Sequence, residues 1–176
     1  MNNSGKIKWI TRTAVFIALL VAFQYATKPM GQYVTGSAVN FILVMSVLAA
    51  GFTSGITVAA LSPVFAFMLG IGPAFVQMVP FVMLGNIVLV VVWGLICRGK
   101  ADIKNMAVST ITGAVLKFAA LYLTIVKYAV PHLLQLQNPQ AAVVSASFSY
   151  PQLVTALIGG IVASVAAPLI LKALKR

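Results

Sequence analysis

Residues 74–97 read AFVQMVPFVMLGNIVLVVVWGLIC, twenty-four positions without one charged side chain. At ~1.5 Å rise per residue such a run makes a helix of about 36 Å, longer than the roughly 30 Å hydrocarbon core of a bilayer. Arg98, Lys100 and Lys104 follow almost at once, so the apolar run is bounded by a basic edge. The rest of the 176-residue chain agrees with that reading. It is 61% hydrophobic and 7% charged, where a soluble domain carries about 25% charged residues, so the surface of a water-soluble protein cannot be assembled from it.

Hydropathy and helix breakers divide the sequence into six apolar segments, residues 9–27, 37–51, 55–70, 74–97, 106–130 and 151–174. The second and third are short and separated only by Phe52, Thr53 and Ser54, and the third carries Pro63 in mid-span. Its freed backbone groups need neighbouring helices, because lipid supplies no partners. The expectation is an all-α integral membrane protein, one transmembrane domain over residues 1–176, folded as a six-transmembrane-helix bundle.

The basic residues set its orientation. Lys6, Lys8 and Arg12 precede the first segment, Arg98, Lys100 and Lys104 lie between the fourth and fifth, and Lys172, Lys175 and Arg176 close the sequence. With six crossings all three clusters fall on one side, and the positive-inside tendency makes both termini cytoplasmic. A basic start running into an apolar segment also fits a cleaved signal peptide, but removing it would break this alternation. The formal charge of +11 is therefore mostly a topology signal and an attraction to anionic membrane lipid. Nucleic acid is a poor partner, since the aromatics are scattered through apolar segments and offer no stacking platform beside the basic residues.

Asp102 is the only carboxylate side chain, His132 the only histidine and Cys97 the only cysteine. Paired-carboxylate catalysis, an acidic proton relay, an acidic metal cage, a zinc site with ordinary ligands, an intrachain disulfide and a histidine triad all need more than this. No GxxxxGK[ST] run exists, so the chain does not hydrolyse ATP by the P-loop route. It reads as no enzyme, with no cofactor or metal of its own.

The polar residues inside apolar segments are then the informative ones. Lys117 lies near the middle of the fifth segment, where insertion costs about 2.5–3.5 kcal/mol. Steps of three and four give Thr110, Gly113, Lys117, Leu121, Thr124 and Tyr128, a stripe with one plainly apolar member, so one face of this helix meets protein or water. Lys117 either faces a ligand cavity, or is satisfied structurally by carbonyls of broken helices, or is held there as the neutral amine. Lys127, nearer the helix end, is expected to snorkel. Asn40, Gln77 and Asn86 add amides that both donate and accept, suited to a polar ligand or to helix-to-helix bonding. Tyr122 lies on the fifth segment, and Tyr33, Tyr150 and Gln152 come from the outer segments. The longest connection, near residues 131–150, contains His132, Gln135, Gln137 and Asn138 and is expected to be a lid or a solvated connector. The candidate ligand contacts are Lys117, Asn86, Asn40, Gln77, Tyr33, Tyr122, Tyr150 and Gln152.

Small residues recur every four positions in the first segment, at Ala14, Ala18 and Ala22, and in the last, at Gly159, Ala163 and Ala167. Both spacings permit close helix contact, within the chain or with another one.

Taken in order, the basic start with Arg12-Thr-Ala14-x-x-x-Ala18, Gly36-Ser-Ala-Val-Asn40, Ala50-Gly-Phe-Thr-Ser-Gly55, Gly70-Ile-Gly-Pro73, Pro80-Phe-Val-Met-Leu-Gly-Asn86 and Tyr150-Pro-Gln152 before Gly159-Gly160 resemble the substrate-binding S-components of energy-coupling factor (ECF) vitamin transporters. The resemblance spans nearly the whole chain. It implies a six-helix bundle with cytoplasmic termini in a prokaryotic plasma membrane, a vitamin captured on the outer side, and a transmembrane scaffold subunit with two ATPase subunits that use ATP and Mg. It also implies that Ala14 and Ala18, with Ala22 as an extension, contact the scaffold. The stretch between Gly36 and Asn86 looks most like cobalamin-type members. Pantothenate and folate carry carboxylates that Lys117 or Lys28 would suit. Apart from the resemblance, Lys117 and the interrupted third segment also fit a self-sufficient small-solute carrier or channel.

Overall fold

Away from water each backbone N–H and C=O needs a partner within the chain, and a continuous helix supplies one without using side chains. The computed structural model describes residues 3–98 and 102–174, and these contain helices and turns but no strand. Helix α1 is Asn3–Thr27, α2 Gln32–Ala50, α3 Phe52–Met68, α4 Val79–Cys97, α5 Ile103–Leu121, α6 Gln140–Ser147 and α7 Tyr150–Leu174, with short 3-10 turns at Lys28–Met30 and Val76–Met78. Five stretches are long and apolar enough to cross a membrane: Ser4–Met30, Gln32–Ala50, Val76–Cys97, Ile103–Leu133 and Gln140–Ala173. Phe52–Met68 is a shorter apolar helix. Of the basic residues read as topology markers, Lys100, Lys175 and Arg176 lie outside the described residues.

Three details differ from the sequence expectation. The break between the second and third segments is not residues 52–54 but Gly51 alone, whose φ of +99° is open to glycine and strained for other residues, and α3 continues through Pro63 to Met68. The connection near residues 131–150 is largely helical. A π-wound continuation of α5, Tyr122–Leu133, runs into it, and α6 fills much of the remainder. Val144 of α6 packs into an apolar cluster with Met78, Leu121, Ile125 and Val130, which ties this segment to the bundle. The polar stripe on α5 also stops early. Thr110, Gly113, Lys117 and Leu121 are buried, but Tyr128 is 55% exposed. Wider π winding, with i→i+5 bonds such as Leu134 N–H to the Ala129 carbonyl, turns the 3.6-residue face away from the core beyond Leu121.

Helix α2 lies centrally, packed against α1, α3, α4 and α7, while α5 packs on α4 and α7. Leu43, Val44, Val58, Leu89, Trp93 and Met106 fill the core between them. The approach of α2 to α7 is close: a Cβ added at Gly159 would lie 2.6 Å from Asn40 Cβ and 2.8 Å from both Phe41 N and Ser37 O. Ala163 and Ala167 are fully buried on the same face, so the small-residue stripe of the last helix packs within the chain. The Ala14, Ala18 and Ala22 stripe is exposed.

Gly159→Ala therefore gains about 1 kcal/mol of helix propensity but forces a methyl onto backbone atoms, at the upper end of the roughly 1–3 kcal/mol that overpacking costs. The expected net loss of about 1–2 kcal/mol lowers the thermal midpoint by about 2–8 °C, read by melting of the purified chain. A midpoint at or above wild type would show that the two helices can move apart freely.

Candidate functional site

A buried lysine organises the interior. Lys117 is 3% exposed, and its Nζ donates to Asn40 Oδ1 at 2.6 Å and to Asn86 Oδ1 at 2.7 Å. A lysine can only donate, which fixes both amides with oxygen toward it and nitrogen away. The two nitrogens have partners of their own: Asn40 Nδ2 donates to Thr155 Oγ1 at 3.3 Å, and Asn86 Nδ2 donates to Ser62 Oγ at 3.1 Å. The result is one polar chain, Ser62–Asn86–Lys117–Asn40–Thr155, linking α3, α4, α5, α2 and α7. All five residues are buried, so the network joins five helices across the core.

Above this network lies a cavity of about 430 Å³. Its inner part is lined by Ser62, Asn86 and Lys117 with the apolar Val39, Ala66, Met78 and Val82 around them, and Gln24, three residues from the end of α1, lines it nearer the outer part. Its outer part is formed by chain junctions: Lys28, Gly31 and Gln32 after α1, Ile71–Ala74 after α3, and Val143, Val144, Ser147 and Phe148 of the α6 region. Hydrogen bonds hold these junctions together. Lys28 Nζ donates to the Gly70 carbonyl at 3.0 Å, and Gln32 Nε2 and Gln152 Nε2 both donate to the Ser147 carbonyl, at 2.5 Å and 3.1 Å. The C-terminal end of α6 is thus bonded to α2 and α7 at the rim.

The residues singled out from sequence separate into two groups. Lys117, Asn86 and Gln152 line the cavity, and Asn40 sits behind Lys117 as its acceptor. The other four are placed elsewhere. Gln77 is exposed on the 3-10 turn before α4. The Tyr33 hydroxyl donates to the Tyr150 hydroxyl at 2.9 Å, and both rings are largely exposed. Tyr122 packs its ring 5.6 Å from that of Phe118, with Lys127 Nζ 5.5 Å from its centroid. Lys127 itself is exposed, as expected of a residue near a helix end.

Sequence reasoning passed over Gln24, although it is the one amide in residues 9–27 and carries the same signal as Asn40. It is 7% exposed, lines the cavity, and its Oε1 accepts no hydrogen bond. Ser62 and Thr155 were also missed, because a hydroxyl in an apolar helix commonly bonds its own backbone and so signals little. The arrangement offers a ligand a donor at the floor, an acceptor on the wall and amides at the rim, within apolar surroundings.

No curated protein and no solved structure matches the chain. A family model described as ECF transporter, substrate-specific component, matches residues 8–171. The apolar helices and this match together make the protein a multi-pass membrane protein and a transport subunit rather than an enzyme. From nearly end to end, then, the chain belongs to the family of substrate-specific components of ECF transporters.

Proposed function

We propose that this chain captures a small vitamin in the cavity over Lys117 and delivers it through a partner complex of a transmembrane scaffold and two ATPases, which use ATP and Mg. The carrying observation is the cavity of about 430 Å³ with a polar network as its floor, in a chain of this family. In this reading the chain crosses a prokaryotic plasma membrane six times with both termini in the cytoplasm. The distribution of Lys6, Lys8 and Arg12, of Arg98 and Lys104, and of Lys172 supports that topology, and the cavity rim then faces outward. The exposed Ala14, Ala18 and Ala22 supply a small-residue stripe for the scaffold.

The volume bears on which vitamin. It lies toward the low end of the roughly 300–1,000 Å³ typical of small-molecule sites, and a corrinoid needs far more. A ligand of pantothenate size, or part of a folate, suits the space better than cobalamin, which would have to stand mostly outside the rim.

Co-expression with a scaffold and ATPase pair tests the function. The tagged chain should retain all three partners through purification, and vesicles holding the complete complex should take up vitamin only with ATP. Vesicles holding this chain alone should bind without flux. Flux through the chain alone would favour a self-sufficient carrier instead.

A further inference from the structure

We infer that the ligand is a small carboxylate, held with its anionic end on Lys117 at the cavity floor and an N–H or O–H group on Gln24 Oε1 nearer the rim. The inference rests on the substrate-capturing role proposed above and specifies its chemistry.

The first argument is charge. The lysine contacts of 2.6 Å and 2.7 Å hold Nζ between two amide oxygens. An ammonium has three donors, and two are used on Asn40 and Asn86. Both acceptors are neutral amides. The only carboxylate side chain in the sequence, Asp102, precedes Lys117 by fifteen residues along the same helix, so about 22 Å of axis separates them. A cation removed from water without a counter-ion is strongly unfavourable. Without an anion burial favours the neutral amine, so the site has one donor unused and holds a full charge only when an anion binds at this wall of the cavity. A carboxylate supplies one negative charge and an acceptor. A phosphate monoester, at about −1.5 to −2 near neutral pH, would leave surplus negative charge in an apolar enclosure with no second cation at the floor.

The second argument is the orphaned acceptor. Gln24 lines the cavity, and its Oε1 is buried and unpartnered. It requires a donor, which a carboxylate cannot provide, so a second group on the ligand must. Depth fixes the order. Asn40 is eight residues into α2 and Asn86 seven into α4, about 10–12 Å from the helix ends at the rim, whereas Gln24 is three residues from the end of α1, about 5 Å in. The donor group thus sits roughly 5–7 Å nearer the rim than the carboxylate. The exposed Lys28 at the rim adds positive potential that steers an anion inward.

Yeast extract provides the probe. It is separated on an anion exchanger into retained and flow-through fractions, and each is added to the purified full-length chain in lipid nanodiscs while thermal unfolding is followed. The retained fraction should raise the midpoint by about 5–10 °C at saturating dose, and the flow-through should not. Converting its carboxylates to methylamides with methylamine and a carbodiimide should abolish the shift, and phosphatase treatment should leave it. Gln24→Leu should raise the dose needed for half the shift by about tenfold. Protection by the flow-through, or sensitivity to phosphatase in place of amidation, overturns the carboxylate and leaves the transport role standing. Protection by neither fraction overturns both. A Gln24→Leu dose response equal to wild type overturns the second contact.

Discussion

Lys117→Met weakens ligand capture by about 10- to 150-fold while the melting temperature of the unliganded chain moves by no more than about 5 °C. The first number is the loss of a hydrogen bond to a charged partner, about 1.5–3 kcal/mol. The second follows from opposing changes. Removing the side chain leaves the oxygens of Asn40 and Asn86 without their donor, at about 1–3 kcal/mol for each buried orphan. It also removes a buried amine whose desolvation had itself been costly. Asn86 lines the cavity, where water can reach it, which reduces the first cost further. Titration calorimetry with the binding fraction, beside melting of the unliganded chain, separates the outcomes. Unchanged capture with a midpoint lowered by more than about 10 °C would assign Lys117 to holding the five helices together. Capture lost with stability kept assigns it to the ligand, a case of a group retained for function against local stability.

How Lys117 became visible in the sequence, and its surroundings did not, is a matter of physical signal. A lysine at the centre of an apolar helix is expensive wherever it points, so it marks itself. Asn40 and Asn86 were visible as amides for the same reason. Their convergence on one ammonium depends on how α2, α4 and α5 are rotated and crossed, which side-chain periodicity constrains only to a face. Tyr33, Tyr150 and Gln77 illustrate the limit: polarity and position near a helix end bring them forward, but two bond each other on the exposed surface and the third is exposed as well. Tyr122 and Tyr128 fall beside and beyond the α-to-π change, where a period of 3.6 no longer predicts the face. Helix α6 is hidden because Gln140–Ser147 is only eight residues long with three polar ones among them, and its place depends on Val144 entering a cluster built by the 3-10 turn before α4 and by α5 with its continuation. The helical starts were hidden in a simpler way. Hydropathy detects the lipid-facing portion, so α1 was expected from residue 9, whereas the helix itself begins at Asn3 among polar and basic residues.

Ala18→Trp abolishes vitamin uptake by cells carrying the complete transporter, to more than tenfold below wild type, while ligand affinity stays within about twofold. The reason lies in which sides of α1 are used inside the chain. Thr13, Leu20 and Gln24 are its buried residues; Thr13 Oγ1 bonds the Trp9 carbonyl and Ser54 Oγ, and Gln24 reaches the cavity. Ala14, Ala18 and Ala22 are exposed instead, and Val15 at 51% and Leu19 at 42% widen the same surface. An indole at position 18 therefore enters no core space, and surface substitutions of that kind change stability by about 0.5 kcal/mol or less. Small residues four apart let another helix come close enough for backbone packing, and a single large ring holds the two apart. Affinity purification should then recover the variant without its scaffold, with its midpoint and its response to the binding fraction intact. Val165→Trp, on a residue of α7 that is 71% exposed, is the matched control and should leave uptake unchanged. If both substitutions stop uptake, any bulky group on the outer surface blocks the process and the alanine stripe has no special role. If Ala18→Trp also removes ligand binding, α1 carries strain from its surface to Gln24, and the stripe belongs to the cavity wall rather than to a partner.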